Sequence, residues 1–268
     1  EKSMQSYLTM STPNKDATLL CLLVALLSNS ICSVATFDAS MLRTIGGQIS
    51  GPGQVPYVVA LTLNGFRHCG GALISETIVL TAAHCTWGYQ PSQMNVIAGI
   101  NDLNSLVGQV LDVAELINHS QFIPGQWDYD IALVRLSSPV KFDGKVQKIP
   151  LADSDSEYPG NKVGTVSGFG AINKKLDVQT FLRSAQVPIW GRLYCNKIIP
   201  DIMDRKLCAG NRSGLVGACQ GDSGGPLSVD GKLFGVVSWG YNCGTAGEPS
   251  VYSYVPAYRS WIYLNSQV

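Results

Sequence analysis

The chain has no surplus of charge of either sign. Lys plus Arg number 19, Asp plus Glu number 19, and charged residues are only 14% of 268. A surface without a net basic or acidic field has no grip on a phosphate backbone or an anionic bilayer, which excludes nucleic acid and membrane surfaces as partners. The apolar run Ala17–Leu27 falls short of the roughly 20 residues that a bilayer-spanning helix needs. No two cysteines form a Cys-x-x-Cys pair, which argues against a structural zinc site. Histidine is scarce. Only His68, His84 and His119 are available to any chemistry that needs an imidazole.

Glycine, by contrast, is plentiful at 28 residues. Short β-branched runs alternate with Gly, Pro, Asn and Asp, the pattern of an all-β protein. The clearest strands are Val55–Thr62, Ala72–Leu80, Val96–Ile100, Ile131–Leu136, Lys162–Gly168, Gln186–Ile189, Lys232–Ser238 and Ser250–Tyr254. From Val255 to about Ser266, Tyr258, Trp261 and Ile262 fall at helical spacing, predicting a terminal helix packed on the second lobe of the fold. Residues 1–35 read as a secretory signal region: an apolar run, then Ser33-Val34-Ala35 as small-x-small, with cleavage after Ala35 and Met10 as its start. Cys21 and Cys32 leave with that region. The remaining six cysteines, in an exported chain, point to disulfides, although their spacing does not choose the pairing.

Residues 217–226 read Gly-Ala-Cys-Gln-Gly-Asp-Ser-Gly-Gly-Pro. A serine hydroxyl is a poor nucleophile until a base stands beside it and donors face the oxygen that becomes negative. Glycines on both sides of Ser223 allow a sharp turn and close approach of a substrate carbonyl. The N–H groups of Gly221 and Ser223 can then converge as an oxyanion hole. Leu80-Thr81-Ala82-Ala83-His84-Cys85 supplies the base, an imidazole among small residues with a cysteine to pin it. Asp130 opens the apolar run Ile131–Leu136. A carboxylate at the edge of a buried strand needs donors, and the N–H of His84 would serve while fixing the ring's tautomer.

The order His84, Asp130, Ser223 and the motifs around them resemble the chymotrypsin-like (trypsin family) serine endopeptidases over roughly residues 44–268. The resemblance implies two antiparallel Greek-key six-stranded β-barrels, roughly 44–150 and 151–254, with a C-terminal helix and the site in the crevice between lobes. By it, Ser223 attacks the scissile carbonyl, His84 relays the proton and Asp130 orients His84. It also implies the pairs Cys69–Cys85, Cys195–Cys208 and Cys219–Cys243. Residues 36–43 resemble an activation propeptide. Cutting after Arg43 frees the amine of Thr44, which is expected to pair with Asp222 and turn the Gly221–Ser223 backbone. Thr44 departs from the family's usual isoleucine or valine, which puts the strength of activation in question.

The same register sets specificity. Gly217 falls at the pocket floor, where trypsin-like members carry an aspartate. Ser238, Trp239, Gly240 and Ser250 form the walls, Gly240 leaving the mouth open. A neutral floor predicts cleavage after large apolar or aromatic residues, not after Lys or Arg. The expected partners are protein or peptide substrates, an activating protease that cuts after Arg43, and protein protease inhibitors. The expected state is a monomer with no cofactor and no metal. Gly99-Ile100-Asn101-Asp102-Leu103-Asn104 has too few oxygen ligands for calcium. Asn118-His119-Ser120 and Asn211-Arg212-Ser213 match the N-glycosylation pattern. The alternative reading is an inactive homologue of the family serving as a binding protein.

Overall fold

The computed structural model describes residues 47–105, 107–171, 177, 180–200 and 202–268. The expected signal region, propeptide, Arg43 and Thr44 lie outside the described residues.

Six strands form a closed antiparallel barrel: β2 (Val58–Leu63), β3 (Phe66–Leu73), β4 (Ile78–Thr81), β5 (Met94–Ala98), β6 (Gln109–Asn118) and β7 (Ala132–Leu136), in the order β2-β3-β4-β7-β6-β5. Asn64 and Gly65 join β2 to β3, both with positive φ (50° and 82°). That is the two-residue turn whose twist matches a hairpin. The expected strand Ala72–Leu80 is instead the end of β3, a turn, and β4. The Ser75 hydroxyl accepts from the N–H groups of Thr77 and Ile78, turning the chain inside an apolar stretch. In β5, Met94, Val96 and Ala98 face inward while Asn95 and Ile97 do not, the period-two pattern of a barrel wall.

The second half contributes β8 (Val163–Gly168), β9 (Arg183–Pro188), β10 (Lys206–Ala209), β11 (Pro226–Val229), β12 (Lys232–Gly240) and β13 (Ser250–Tyr254). Their order is β9-β8-β11-β12-β13-β10, and an antiparallel bridge between Ile189 and Ala209 links the two ends. A seventh strand, β1 (Gln48–Ile49), pairs with β9. Among the described residues, β1 precedes the first barrel in the chain but joins the second sheet. Asp230 and Gly231, with φ of 48° and 76°, turn β11 into β12 in the same way as Asn64-Gly65.

Two helices complete the fold. α1 (Arg192–Ile198) carries Cys195. A 3-10 turn at Val255–Tyr258 leads into α2 (Arg259–Ser266), which ends at Gln267 in the left-handed region. α2 was expected on the second lobe. Its one buried residue, Ile262, shares a core cluster with Leu73, Leu80 and Leu133 of the first barrel and with Leu233 and Val236 of β12, so the helix end of the chain meets both halves. The Arg135 guanidinium on β7 donates to the Asn265 carbonyl (2.9 Å), and the Trp261 ring lies 5.2 Å from that of His119. Helical spacing told which side was apolar, not that the side also reaches the first barrel. Among the described residues no helix is long and apolar enough to cross a membrane.

Candidate active site

Ser223 sits in a turn held from both barrels. The Gly70 N–H on β3 donates to the Ser223 carbonyl, and the Gly224 N–H donates to Val237 on β12, both at 2.8 Å. Gly224 has φ +76°, and a Cβ there would collide with the Thr81 hydroxyl and the Gly70 carbonyl. Gly221 also lies in the left-handed region, at φ +91°. Glycine is what the seam between barrels requires at these two positions.

His84 occupies a 3-10 turn, Ala83–Cys85, at the end of β4. Cys85 is joined to Cys69 on β3, so the turn is tied to the adjacent strand. Asp130 immediately precedes the strand end that leads to β7 and is fully buried. Its Oδ1 accepts from the His84 backbone N–H (2.9 Å) and its Oδ2 meets the ring Nδ1 (2.8 Å). Burial pushes the Asp130 carboxyl up. The His84 bond and charge, Lys206 and the Ser238 hydroxyl outweigh it and hold the carboxyl below its usual range. An ionised carboxylate only accepts hydrogen bonds, so Nδ1 carries the proton and Nε2 is left as an acceptor. The His84 side chain is 21% exposed, enough for that nitrogen to meet a substrate.

Two further side chains complete the surroundings of Asp130. The Ser238 hydroxyl donates to its Oδ2 (2.6 Å) and the Ser253 hydroxyl to its backbone carbonyl (2.5 Å). Lys206 on β10 is 2% exposed, and its Nζ donates to both hydroxyls at 3.2 Å. Ser238 was expected only as a pocket wall, and Lys206 was not singled out at all. Nothing in Lys206-Leu207-Cys208-Ala209 marks the lysine as buried, because a strand normally turns alternate residues to solvent, whereas all four here are buried.

A cavity of about 690 Å³ opens beside these groups, and both His84 and Ser223 line it. Ser238, Trp239, Gly240 and Ser250 line it too, as does the Cys219–Cys243 disulfide. The third disulfide, Cys195–Cys208, lies away from it and ties α1 to β10. No carboxylate lines the cavity among the described residues. Gly217, expected at the floor, is buried next to Ser250: a Cβ at 217 would stand 3.3 Å from the Ser250 hydroxyl. That hydroxyl donates to the Ala218 carbonyl (3.4 Å), so Ser250 is the residue that meets the cavity there.

Asp222 is 1% exposed. Its carboxylate accepts from the Gly170 N–H (2.7 Å) and the Cys219 N–H (2.9 Å). Burial nonetheless pushes it up to about 6, against the opposing pull of those two N–H groups and of Arg67. Arg67 donates to the Phe169 carbonyl and flanks Gly221. Cys69, His84 and Cys85 bring possible metal-ligand atoms within 4.8 Å of one another, but both sulfurs are spent in a disulfide and neither is a thiolate. Of the glycosylation-pattern asparagines, Asn118 accepts from the Thr86 hydroxyl (2.6 Å) and Asn211 from Ser213.

A family model described as Trypsin matches residues 44–262. The chain is 37% identical over 229 residues to a protein named Trypsin from Simulium vittatum, covering 82% of this chain and 92% of that one. It is 35% identical over 224 residues to Vitellin-degrading protease from Bombyx mori, covering 82% and 84%.

Proposed function

The chain belongs to the trypsin family and is a serine endopeptidase, and on that premise we propose that Ser223, His84 and Asp130 carry its chemistry. The observation that supports this most is the grip of one buried carboxylate on both the backbone and the ring of His84, with His84 and Ser223 facing one cavity. With Nδ1 committed to Asp130, Nε2 takes the Ser223 proton as the hydroxyl oxygen bonds to the scissile carbonyl carbon. The oxyanion is met by the N–H groups of Gly221 and Ser223. The imidazolium then returns its proton to the leaving amine, giving an acyl-enzyme that water cleaves by the same route.

The preferred residue before the cut is large and apolar or aromatic. A Lys or Arg side chain entering a cavity lined by Trp239, Gly240 and Ser250 would leave its charge unpaired. The edge at Ser238–Gly240 pairs with the substrate backbone as an added strand. The enzyme is secreted as a zymogen and activated by another protease cutting after Arg43. The new amine of Thr44 then becomes the cation for Asp222, whose carboxylate otherwise resists ionisation in its buried site.

Ser223→Ala is expected to lower kcat by on the order of 10⁶-fold on a peptide substrate while leaving the thermal unfolding of the protein unchanged. A variant that kept near-normal turnover would overturn the assignment.

A further inference from the structure

We propose that Lys206 is a positioning residue for the triad: its buried ammonium, joined through the Ser238 hydroxyl to the same Asp130 Oδ2 that holds the His84 ring, limits the negative charge that Asp130 presents to the imidazole. This rests on the triad reading above.

The direction of each proton is fixed. Lysine has donors and no acceptor, and a serine hydroxyl has one proton. Because Ser238 gives its proton to Asp130 Oδ2 and Ser253 gives its own to the Asp130 carbonyl, both oxygens are left to accept from Lys206. Lys206 is therefore one hydroxyl removed from the Asp130 carboxylate and one from its carbonyl, and these two relays carry its field to the residue.

The charged and titratable groups around it leave Asp130 as its counterpart. Asp128 is close, but it is paired with Arg205 (2.7 Å) on the residue next to Lys206. Arg205 in turn lies 4.2 Å over the Tyr129 ring. His119 is stacked on Tyr129 and meets Tyr258 edge-on. Its imidazole is pulled below its ordinary range by burial and by Arg205. His84 is reached only through Asp130. Desolvation lowers Lys206 to about 8, with Asp130 and Asp128 opposing the shift, so the ammonium is charged through the neutral range and loses its charge above it. A lysine whose only task was to fill this space gains nothing from its charge, since burying an ion is costly and an apolar residue of like volume fits without that cost.

A positive charge behind Asp130 weakens the carboxylate's hold on a proton at His84. Removing it reverses that effect. The test is the pH dependence of kcat/KM between pH 5 and 9 for the active protease, Lys206→Met and Lys206→Gln. Both variants lose the charge, both leave the serine protons on Asp130, and Gln keeps a polar group for the two hydroxyls if Met packs poorly. The midpoint of the acidic limb is expected to rise by about 0.5–1 pH unit in both variants. A uniform drop in kcat/KM with an unmoved midpoint, in enzyme whose Ser223 still reacts with a fluorophosphonate, would overturn the proposal and leave Lys206 a structural residue. Failure of wild-type Ser223 to react would instead remove the triad reading, and the proposal with it.

Discussion

One buried carboxylate organises the residues of this cleft. Asp130 is fully buried, yet His84, Ser238 and the lysine beyond them keep it ionised, and that fixes which nitrogen of His84 faces the cavity. His84, Asp130 and Ser223 were singled out in the sequence because each has a local signature: small residues and a cysteine at the histidine, an apolar run after the aspartate, glycines around the serine. Lys206 had none, since its burial is created by the strands packed over β10. The specificity position was half readable. The absence of an acid at 217 was visible, but that Ser250 fills the space beside it depends on the pairing of β13 with β12. Wild type is expected to cleave peptides after Phe, Tyr or Leu at least about tenfold better than after Lys or Arg. The double change Gly217→Asp with Ser250→Gly, which removes the hydroxyl that a new side chain would meet, is expected to reverse that order. Peptides differing only in the residue before the cut would measure both, and a basic preference in wild type would refute the neutral-pocket reading.

At the scale of elements, strands rich in β-branched and aromatic residues were legible, and β6 was not. Ser250–Tyr254 is β13 as read. β6, Gln-Val-Leu-Asp-Val-Ala-Glu-Leu-Ile-Asn, escaped because Asp112 and Glu115 interrupt its apolar residues, Val110 faces outward, and only Leu111 and Val113 are buried. The terminal helix was legible as a helix, while its docking surface was a long-range fact outside the reach of spacing. That docking makes a definite prediction. Ile262 is fully buried in a core cluster shared with both halves, so Ile262→Ala is expected to cost about 2–5 kcal/mol in denaturant unfolding. A cost below about 0.5 kcal/mol, typical of a surface change, would show the helix to be loosely held.

Across the whole molecule, both halves contribute to one cavity: His84, held by the buried Asp130, from the first, and Ser223, Ser238, Trp239, Gly240 and Ser250 from the second. Family membership made this architecture readable; the capture of β1 by the second sheet was not, because a two-residue strand has no pattern of its own. Asp222 gives the assembly a pH signature. Its carboxyl is raised from 3.8 to about 6, so the stability linked to its protonated form is full below about pH 4 and lost as pH rises through about 6. In the uncut chain the loss is expected to be on the order of 3 kcal/mol at pH 7.5. Thermal melting of that chain is therefore expected to weaken between pH 4.5 and 7.5, and Asp222→Asn to remove most of the decline. Cutting after Arg43 is expected to restore stability at pH 7.5 in wild type but not in Asp222→Asn. A cut chain no more stable than the uncut one would contradict the pairing of the new amine with Asp222.

The most direct measurement is to treat the protein, cut after Arg43, with a fluorophosphonate and locate the adduct by mass spectrometry. One adduct per chain on Ser223 is expected, with labelling slowed by orders of magnitude in His84→Ala. An unlabelled Ser223, or a rate indifferent to the loss of His84, would contradict the account.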